Sequence, residues 1–487
     1  MIVGIDIGTQ SLKAVVTNDG LEVLGEASVG YEPSYPRPGA AEQDTNVWER
    51  ALAPAIERTL AAANVRAKEV LALGICGQLD GCVATDAHGK AVAPCIIWMD
   101  RRAESEISDV TADLVRERGG VVLDATHMAA KIRWQKRNLS GAERVVRFHQ
   151  PVSYLVSRLT GKHVFDHGLA STTMLYDLKR RALDPELLEC FGIRADELPQ
   201  IAQADDAAGA LTAAGAEMTG LPSGITVAVG TGDDFSNPLG AGVVTGGRAV
   251  CTLGTAEVVG AVHHEAVIDP HALVETHGYV GGGFFVENPG WLCGGAVEWL
   301  IDICRLADAA ELDALAGSVA PGADDLVFLP ALSGAMAPEW VASARGCFYG
   351  LTPAHGNGHL SRALLEGCAF AMRDVLDRLR ELGIDCNSIV LLGGGARSHI
   401  WARIRADLMQ LPVECPSATD TSPIGAAVLA AVAAGIQPDL GTAAQCVAGV
   451  TERIDPDPRA FHDLDYAYGR YRELFEALRP MYTGREP

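Results

Sequence analysis

The chain has no run of about 18 consecutive apolar residues, which excludes a helix spanning a membrane on hydropathy grounds. It also lacks a basic stretch leading into a long apolar core at its start, so no secretory leader is expected. Positive charge is scarce: 39 Lys and Arg face 62 Asp and Glu, a formal net charge of −23. Such a surface repels phosphate backbones and argues against nucleic acid as a partner. It would repel a free nucleotide as well, so a phosphate site must be built locally from backbone N–H groups and a metal ion. The 12 cysteines include no C-x-x-C pair and no zinc-like spacing, and read as reduced, mostly buried thiols of a cytoplasmic protein. What remains is ordinary for a globular enzyme, with 48% apolar and 21% charged residues and length for two or three domains.

Strand and helix patterns alternate along the chain. Met1–Asp6 predicts a buried strand that runs into a Gly-Thr turn, followed by strands at Lys13–Thr17 and Glu22–Ala27 around Asn18-Asp19-Gly20. Asp44 or Thr45 can cap a helix reaching about Ala63, and Leu71–Cys76 predicts another strand. Residues 184–220 mix turns and short helices, as surface decoration would. A second strand opening at Ala249–Leu253 again meets a Gly-Thr turn, Gly254-Thr255, and then an apolar strand, Glu257–Val262. Two such units, one at the start of each half, suggest an internal duplication with a boundary near residue 245. The clearest helix is His359–Leu382, with Leu365, Ala369, Met372, Leu376 and Leu379 at steps of three and four and Gly383 as its stop. Beyond about Gly435 an acidic, aromatic-tipped helical appendage is expected.

Three places can carry chemistry. In Gly4-Ile5-Asp6-Ile7-Gly8-Thr9-Gln10-Ser11-Leu12-Lys13, Gly8 allows close backbone approach, and Thr9 to Ser11 present N–H and hydroxyl donors to phosphate oxygens. Asp6 could hold Mg²⁺, a hard cation that takes carboxylates; a plain hairpin with a conformational glycine is the alternative. Gly230-Thr231-Gly232-Asp233-Asp234 follows an apolar strand and precedes a helix start, which aims a carboxylate into the crevice beyond the strand's end. Asp233 there could take a proton from an attacking hydroxyl, although either aspartate could instead be a helix N-cap. The strand–Gly393-Gly394-Gly395–helix unit lets a flat ligand lie on bare backbone, or is simply a tight turn.

The chain resembles the FGGY carbohydrate kinases, and among them most closely the xylulose kinases. The most specific match is Gly346-Cys347-Phe348-Tyr349-Gly350-Leu351, seven residues, then His359-Leu360-Ser361-Arg362-Ala363-Leu364-Leu365-Glu366. Further matches are Glu42-Gln43-Asp44, Gly77-Gln78, Trp98-x-Asp100-x-Arg102, Leu159-Thr160-Gly161, Asp166, Leu198-Pro199, Gly232-Asp233, Gly254-Thr255, Leu332-Ser333-Gly334 and Gly393-Gly394-Gly395-Ala396. They run from residue 1 to about 435.

The resemblance implies an α/β fold of two actin-like, ribonuclease-H-like lobes with ATP and a small sugar in the cleft between them. Residues 1–244 would form the sugar-binding lobe, 245–435 the nucleotide-binding lobe and 436–487 the appendage. It makes Asp233 the catalytic base and Asp6 the carboxylate on the side of Mg²⁺. Gly8, Thr9, Gln10 and Ser11, together with Gly254 and Thr255, would be the two phosphate loops. Gly394, Gly395 and Ala396 would meet adenosine, and Gln78, Leu79, Asp80, Trp98, Asp233 and Asp234 the sugar.

Three departures stand out. Xylulose kinases usually carry Met-His where this chain has Leu79-Asp80, which changes the partner offered to a sugar hydroxyl. Gly334-Ala335-Met336-Ala337-Pro338 has lost both charges of the family's Gly-Glu-Arg-x-Pro segment. The other family signature survives in part, as Lys131-Ile132-Arg133-Trp134, with Lys131 and Trp134 read as structural. The expected activity is phosphorylation of a ketopentose such as D-xylulose, or else of another pentulose or of a polyol such as ribitol, xylitol or glycerol. A non-catalytic sugar or nucleotide sensor is the competing class, but one that had lost catalysis would be expected to lack Asp6 or Asp233. The aromatic tail leaves room for a homodimer contact.

Overall fold

The computed structural model describes residues 1–418 and 420–482. Its first sheet has seven strands. They are β1 (Ile2–Ile7), β2 (Ser11–Thr17), β3 (Val23–Gly30), β4 (Ala72–Gly77), β5 (Ala207–Ala210), β6 (Thr226–Ala228) and β7 (Thr231–Gly232). Their order is β5-β6-β4-β1-β2-β3, with β7 beside β4. The second sheet comprises β8 (Gly247–Leu253), β9 (Ala256–His263), β10 (Glu275–Gly278), β11 (Phe284–Leu292), β12 (Cys386–Leu392), β13 (Val413–Pro416) and β14 (Val450–Ile454). It runs β10-β11-β9-β8-β12-β13-β14.

The two sheets share a pairing plan. In the first, β1 is antiparallel to β2 and parallel to β4, β2 is antiparallel to β3, and β6 is parallel to β4. In the second, β8 is antiparallel to β9 and parallel to β12, β9 is antiparallel to β11, and β13 is parallel to β12. The repeated strand–Gly-Thr turn–strand unit is thus the hairpin β1–β2 of one sheet and β8–β9 of the other.

The helices named below are α1 (Thr45–Ala62), α2 (Met128–Asn138), α3 (Pro151–Thr160), α4 (Asp233–Gly240), α5 (Asn357–Glu381), α6 (His399–Met409), α7 (Ser422–Ala433) and α8 (Pro458–Tyr482). Asp44 caps α1 by accepting from the Asn46 N–H. The apolar stripe expected on the long helix is buried along α5, and Gly383 follows its end with φ 82°.

Alternation along β1 explains how the sheet is covered on both faces. Val3, Ile5 and Ile7 belong to the core beneath α1, with Leu52 and Ile56. Ile2, Gly4 and Asp6 therefore point the other way, towards α7. On the neighbouring strand Ala72, Gly74 and Cys76 stand in register with them, Gly4 opposite Gly74 and Asp6 opposite Cys76. The missing side chains let α7 lie directly on the strands. A Cβ added at Gly4 would be 1.9 Å from the Pro423 carbonyl oxygen, and one at Gly74 would be 1.8 Å from that of Ala426. Helices α4 and α7 meet as closely, because a Cβ at Gly240 would be 1.9 Å from the Thr421 oxygen and one at Gly425 would be 2.1 Å from the Ser236 oxygen. A helix from the second half of the chain thus forms one face of the first sheet.

Two segments differ from the sequence reading. Residues 184–220 are not only decoration, since Ala207–Ala210 is the edge strand of the first sheet, antiparallel to β6. The C-terminal segment is not purely helical, since Val450–Ile454 pairs with β13 and extends the second sheet. Leu464, Ala467, Tyr471, Leu474 and Phe475 of α8 are buried in the core of that half. Both strands are short, one made only of Ala and Gly and the other largely polar, and neither pattern is separated by alternation from a turn-rich loop.

The glycine contacts generate a paired test. Gly74→Ala forces α7 off the sheet and is expected to cost about 1–3 kcal/mol, the usual range for overpacking. Gly469, inside α8, has nothing within 4 Å of an added Cβ. Gly469→Ala should therefore stabilise by about 0.5–1 kcal/mol through helix propensity. Urea denaturation midpoints of the two variants should move in opposite directions.

Candidate active site

The first turn is held from behind. Tyr31 Oη donates to the Gly8 carbonyl at 2.8 Å, Gln43 Nε2 donates to that of Thr9, and Tyr31 N–H donates to that of Gln10 at 2.9 Å. Gln43 is in turn clamped by Gln78 Nε2 at 2.7 Å and Trp48 Nε1 at 3.3 Å, both donating to its Oε1. With its carbonyls engaged by the protein, the turn offers a ligand its N–H and hydroxyl side. Trp98 crosses the turn and donates its indole N–H to Thr9 Oγ1 at 3.0 Å. The shared Glu42 and Asp100 explain themselves here. Asp100 bonds Arg102 and the Ala41 N–H, and Arg102 reaches Glu42 at 2.7 Å, so Trp98 and Gln43 are set by a half-buried ion-pair network.

Asp6, the last residue but one of β1, is 5% exposed, and its Oδ1 has no hydrogen-bond partner. Burial foremost, then Asp233, pushes its pKa well up. Lys13 forms a 2.7 Å ion pair with Asp420, which lies just ahead of α7. Burial opposes the lysine's charge, but Asp420 and then Asp6 hold its pKa above the ordinary value.

Asp233 and Asp234 open α4, and the N-cap is neither of them but Gly232. Asp233 Oδ1 accepts from the Asp234 N–H at 3.1 Å. Burial pushes Asp233 up to about 6. Asp234 is pushed well up by burial, then by Asp233 and Asp80. The bend ahead of the helix needs Gly230, whose φ is 78° and whose Cβ would be 2.0 Å from the Ile75 oxygen. Asp166 fixes the strand between them by accepting from Thr231 Oγ1 at 2.7 Å, and it caps its own short helix.

In the second half, the Gly254 and Thr255 carbonyls accept from the first N–H groups of the helix Gly294–Cys304 and from Cys293 at 3.0–3.1 Å. Beside this contact lies a cavity of 790 Å³ lined by Gly295, Glu298, Trp299 and Asp302 among others. Gly393 and Gly395 press on Leu253, where added Cβ atoms would be 2.5 and 2.7 Å from it. Gly394 has nothing within 4 Å and faces open space.

The loop Gln78–Asp80 joins the two halves of the site. Leu79 packs against Gly232, where a Cβ would be 1.9 Å from its Cδ2. Asp80 has φ 56°, and its N–H donates to Gln150 Oε1 at 3.0 Å. Lys131, fully buried on α2, donates to the Asp80 carbonyl at 2.6 Å, and Arg102 lies 5.0 Å above the Trp134 ring. The Asp80 carboxylate meets His127 Nδ1 at 3.2 Å, and His127 Nε2 is 3.7 Å from Glu275. In the altered loop, Ala335 is buried in the second core and Met336 is half-buried, so the two positions where the family carries charges are here apolar and at least partly covered.

Sequence reasoning gave Lys13 no role and missed Asp420, Ser422, His127, Glu275, His277, Glu287 and the cavity at Glu298. Of these, Glu287 had a signal, a carboxylate inside a largely apolar strand, while Glu275 and His277 lie in the polar strand Glu-Thr-His-Gly and had none. His127 and Asp420, in loops, carried no such signal.

The chain matches the FGGY family of carbohydrate kinases, N-terminal domain, over residues 1–240 and the C-terminal domain of that family over residues 249–434. Glycerol kinase of Thermococcus onnurineus is 31% identical over 89% of each chain. Xylulose kinase of Escherichia coli is 30% identical, with coverage of 99% of this chain and 100% of that one. The crystal structure of xylulose kinase from Rhodospirillum rubrum superposes with a TM-score of 0.90 at 30% identity over 99% of both chains. A two-lobed α/β fold with paired Gly-Thr turns and these matches along its length leave one conclusion: the chain belongs to the FGGY family of carbohydrate kinases and is an ATP-dependent sugar or polyol kinase.

Proposed function

We propose that the chain transfers the γ-phosphoryl group of ATP to a terminal hydroxyl of a small ketose or polyol, with D-xylulose the leading ketose. Glycerol, xylitol and ribitol remain close alternatives, because Asp80 replaces an imidazole and glycerol kinases are as similar as xylulose kinases.

The observation that carries the reading is the placement of Asp233 at the first turn of α4, within the electrostatic reach of Asp6 and Lys13. A carboxylate raised to about 6 is a stronger base than an exposed one, yet is ionised near neutral pH. In the proposed reaction Asp233 orients the sugar hydroxyl and takes its proton as the oxygen attacks phosphorus. The N–H groups of Thr9–Ser11 and of Thr255, in turns closed by the Gly8 N–H to Ser11 and the Gly254 N–H to Ala256, would cradle the phosphates from the two lobes. Gly394, Gly395 and Ala396 would lie against the adenosine, with the cavity at Glu298 and Trp299 beside them.

Asp6 fits a divalent cation: it is a buried carboxylate with an unpartnered oxygen, pushed up by burial and by a second carboxylate. Among the described residues no cluster of three or more His, Cys, Asp or Glu forms a metal cage, which suits Mg²⁺ held by one carboxylate, phosphates and water. When bound, Mg²⁺ would neutralise charge on the phosphates. The twelve free thiols support a reducing, cytoplasmic setting for this enzyme.

Two outcomes test the assignment. Asp233→Ala should lower turnover by about a thousandfold, within the usual range for a general base, while ATP affinity by calorimetry stays within a few fold. Near-normal turnover in that variant would remove Asp233 as the base. Gly394→Ala, whose methyl group meets no protein atom, should keep the denaturation midpoint and raise KM for ATP about tenfold; an unchanged KM would remove Gly394 from the nucleotide site.

A further inference from the structure

The second lobe sends an edge of its sheet into the first. The β10 strand docks on the first lobe: the Thr276 N–H donates to the Gly120 carbonyl at 2.9 Å, the Gly278 N–H to Ser171 Oγ at 2.9 Å, and the Val122 N–H to Glu275 Oε1 at 2.7 Å. Glu275 on β10 and Glu287 on β11 are direct cross-strand partners. Like charges so placed destabilise a sheet. His277 Nε2 sits between them, 3.6 Å from Glu275 and 3.5 Å from Glu287. Gly260, on the other flanking strand, makes room for Glu287, because a Cβ there would be 2.7 Å from the glutamate's own Cβ.

Glu287 is 2% exposed, and its Oε2 has no hydrogen-bond partner. Its neighbour His277 lies 5.6 Å, ring to ring, from Phe235 of α4, the residue after Asp234, which places Glu287 near the reacting end of the site. Burial, then the charges of Asp234, Glu275, Asp233 and Asp80, push its pKa well up. Asp80 Oδ1 and Gln78 Oε1 are also unpartnered. These three oxygens come from both lobes, and an unpartnered buried oxygen costs about 1–3 kcal/mol. Folding gains nothing from them, since apolar side chains of similar volume would serve the sheet as well or better. The nearby cations are engaged elsewhere. Lys131 reaches only the Asp80 carbonyl, and His127 lies between the Asp80 and Glu275 carboxylates.

We propose that Glu287 is a specificity-determining residue contributed by the second lobe, reading hydroxyl groups of the substrate from the side opposite Asp80, and that the pocket so formed takes an uncharged polyol or ketose and rejects sugar acids and sugar phosphates. The inference rests on the kinase reading above and deepens it. A substrate hydroxyl can donate to Glu287 and Asp80, and it can accept from Glu287 when that carboxyl is protonated. A carboxylate or phosphate on the substrate would face several carboxyl groups, while Lys13, the ammonium that acts on Asp233, is already paired with Asp420.

The test is a coupled ADP-release assay of the full chain with D-xylulose, xylitol, ribitol and glycerol as uncharged probes and D-gluconate as the acid. The wild type should turn over at least one uncharged probe with kcat/KM about a hundredfold above that for gluconate. Glu287→Leu should raise KM for that probe about tenfold or more, with KM for ATP retained. The isosteric Glu287→Gln, which keeps the packing, should raise it about threefold. ADP release that favours gluconate, or an unchanged sugar KM in the folded variants, overturns this inference and leaves the kinase intact. If the leucine variant does not fold, an unchanged KM in Glu287→Gln is enough to overturn it. Absence of ADP release with every probe in the wild type overturns the proposed function itself.

Discussion

The close seating of α7 on β1 and β4 governs the rest of the molecule. It depends on two glycines standing side by side in adjacent parallel strands, Gly4 and Gly74. Because the strands alternate, the same face that holds Gly4 holds Asp6 one step further along. A helix lying on that face necessarily brings its first turn to the aspartate. Cys76 confirms the approach: its Sγ lies 3.0 Å from Ser422 Oγ and 3.2 Å from the Ser422 carbonyl. The second close contact, between α4 and α7 through Gly240 and Gly425, places the start of α4 in the same region. Two helix N-termini and two carboxylates thus converge. The partial positive charge at those termini favours anions there, which offsets part of the repulsion between Asp6 and Asp233.

That convergence has an energetic cost which the fold carries elsewhere. Asp6, Asp233, Asp234 and Glu287 all have raised pKa values, in each case with burial as the first cause. Groups of this kind favour their protonated forms in the folded chain and oppose folding when ionised. Both halves meet the cost with large cores on either side of the site, including the α5–α8 core of the second half, where Tyr471 and Phe475 are fully buried. Accumulated strain of this sort at a cleft, surrounded by well-packed layers, is where active sites are expected to depart from rules of stability.

Much of this was legible in the sequence. The two Gly-Thr turns, the strand–Gly–Asp233 crossing and the glycine triplet each sit at the end of a strand whose apolar alternation or run is plain, and all lie where they were expected. The amphipathic period of α5 and its glycine stop were equally readable. What escaped was tertiary. Nothing in the sequence says that Gly4 and Gly74 share a face, because their register is set by a parallel pairing across 70 residues. Asp80 was suspected for its type, but its partners His127 and Glu275 come from a distant loop and from the other lobe. The N-cap alternative left open for the two aspartates falls away: Asp233 and Asp234 follow Gly232 rather than cap the helix, and a run of Gly-Asp-Asp does not show which residue takes the extended conformation. That Ala335, at one of the two altered charge positions, is buried shows only once the second core is packed.

The docking of β10 sets the mechanics of the cleft. Two backbone N–H groups of that strand are hydrogen-bonded to the opposite lobe, and α7 is wedged against the first sheet at the far side. A rigid swing of one lobe would have to break one fastening or pry apart the other. The halves are therefore joined like a book bound along its spine and stitched at one corner, so that its covers can flex only about those two fastenings.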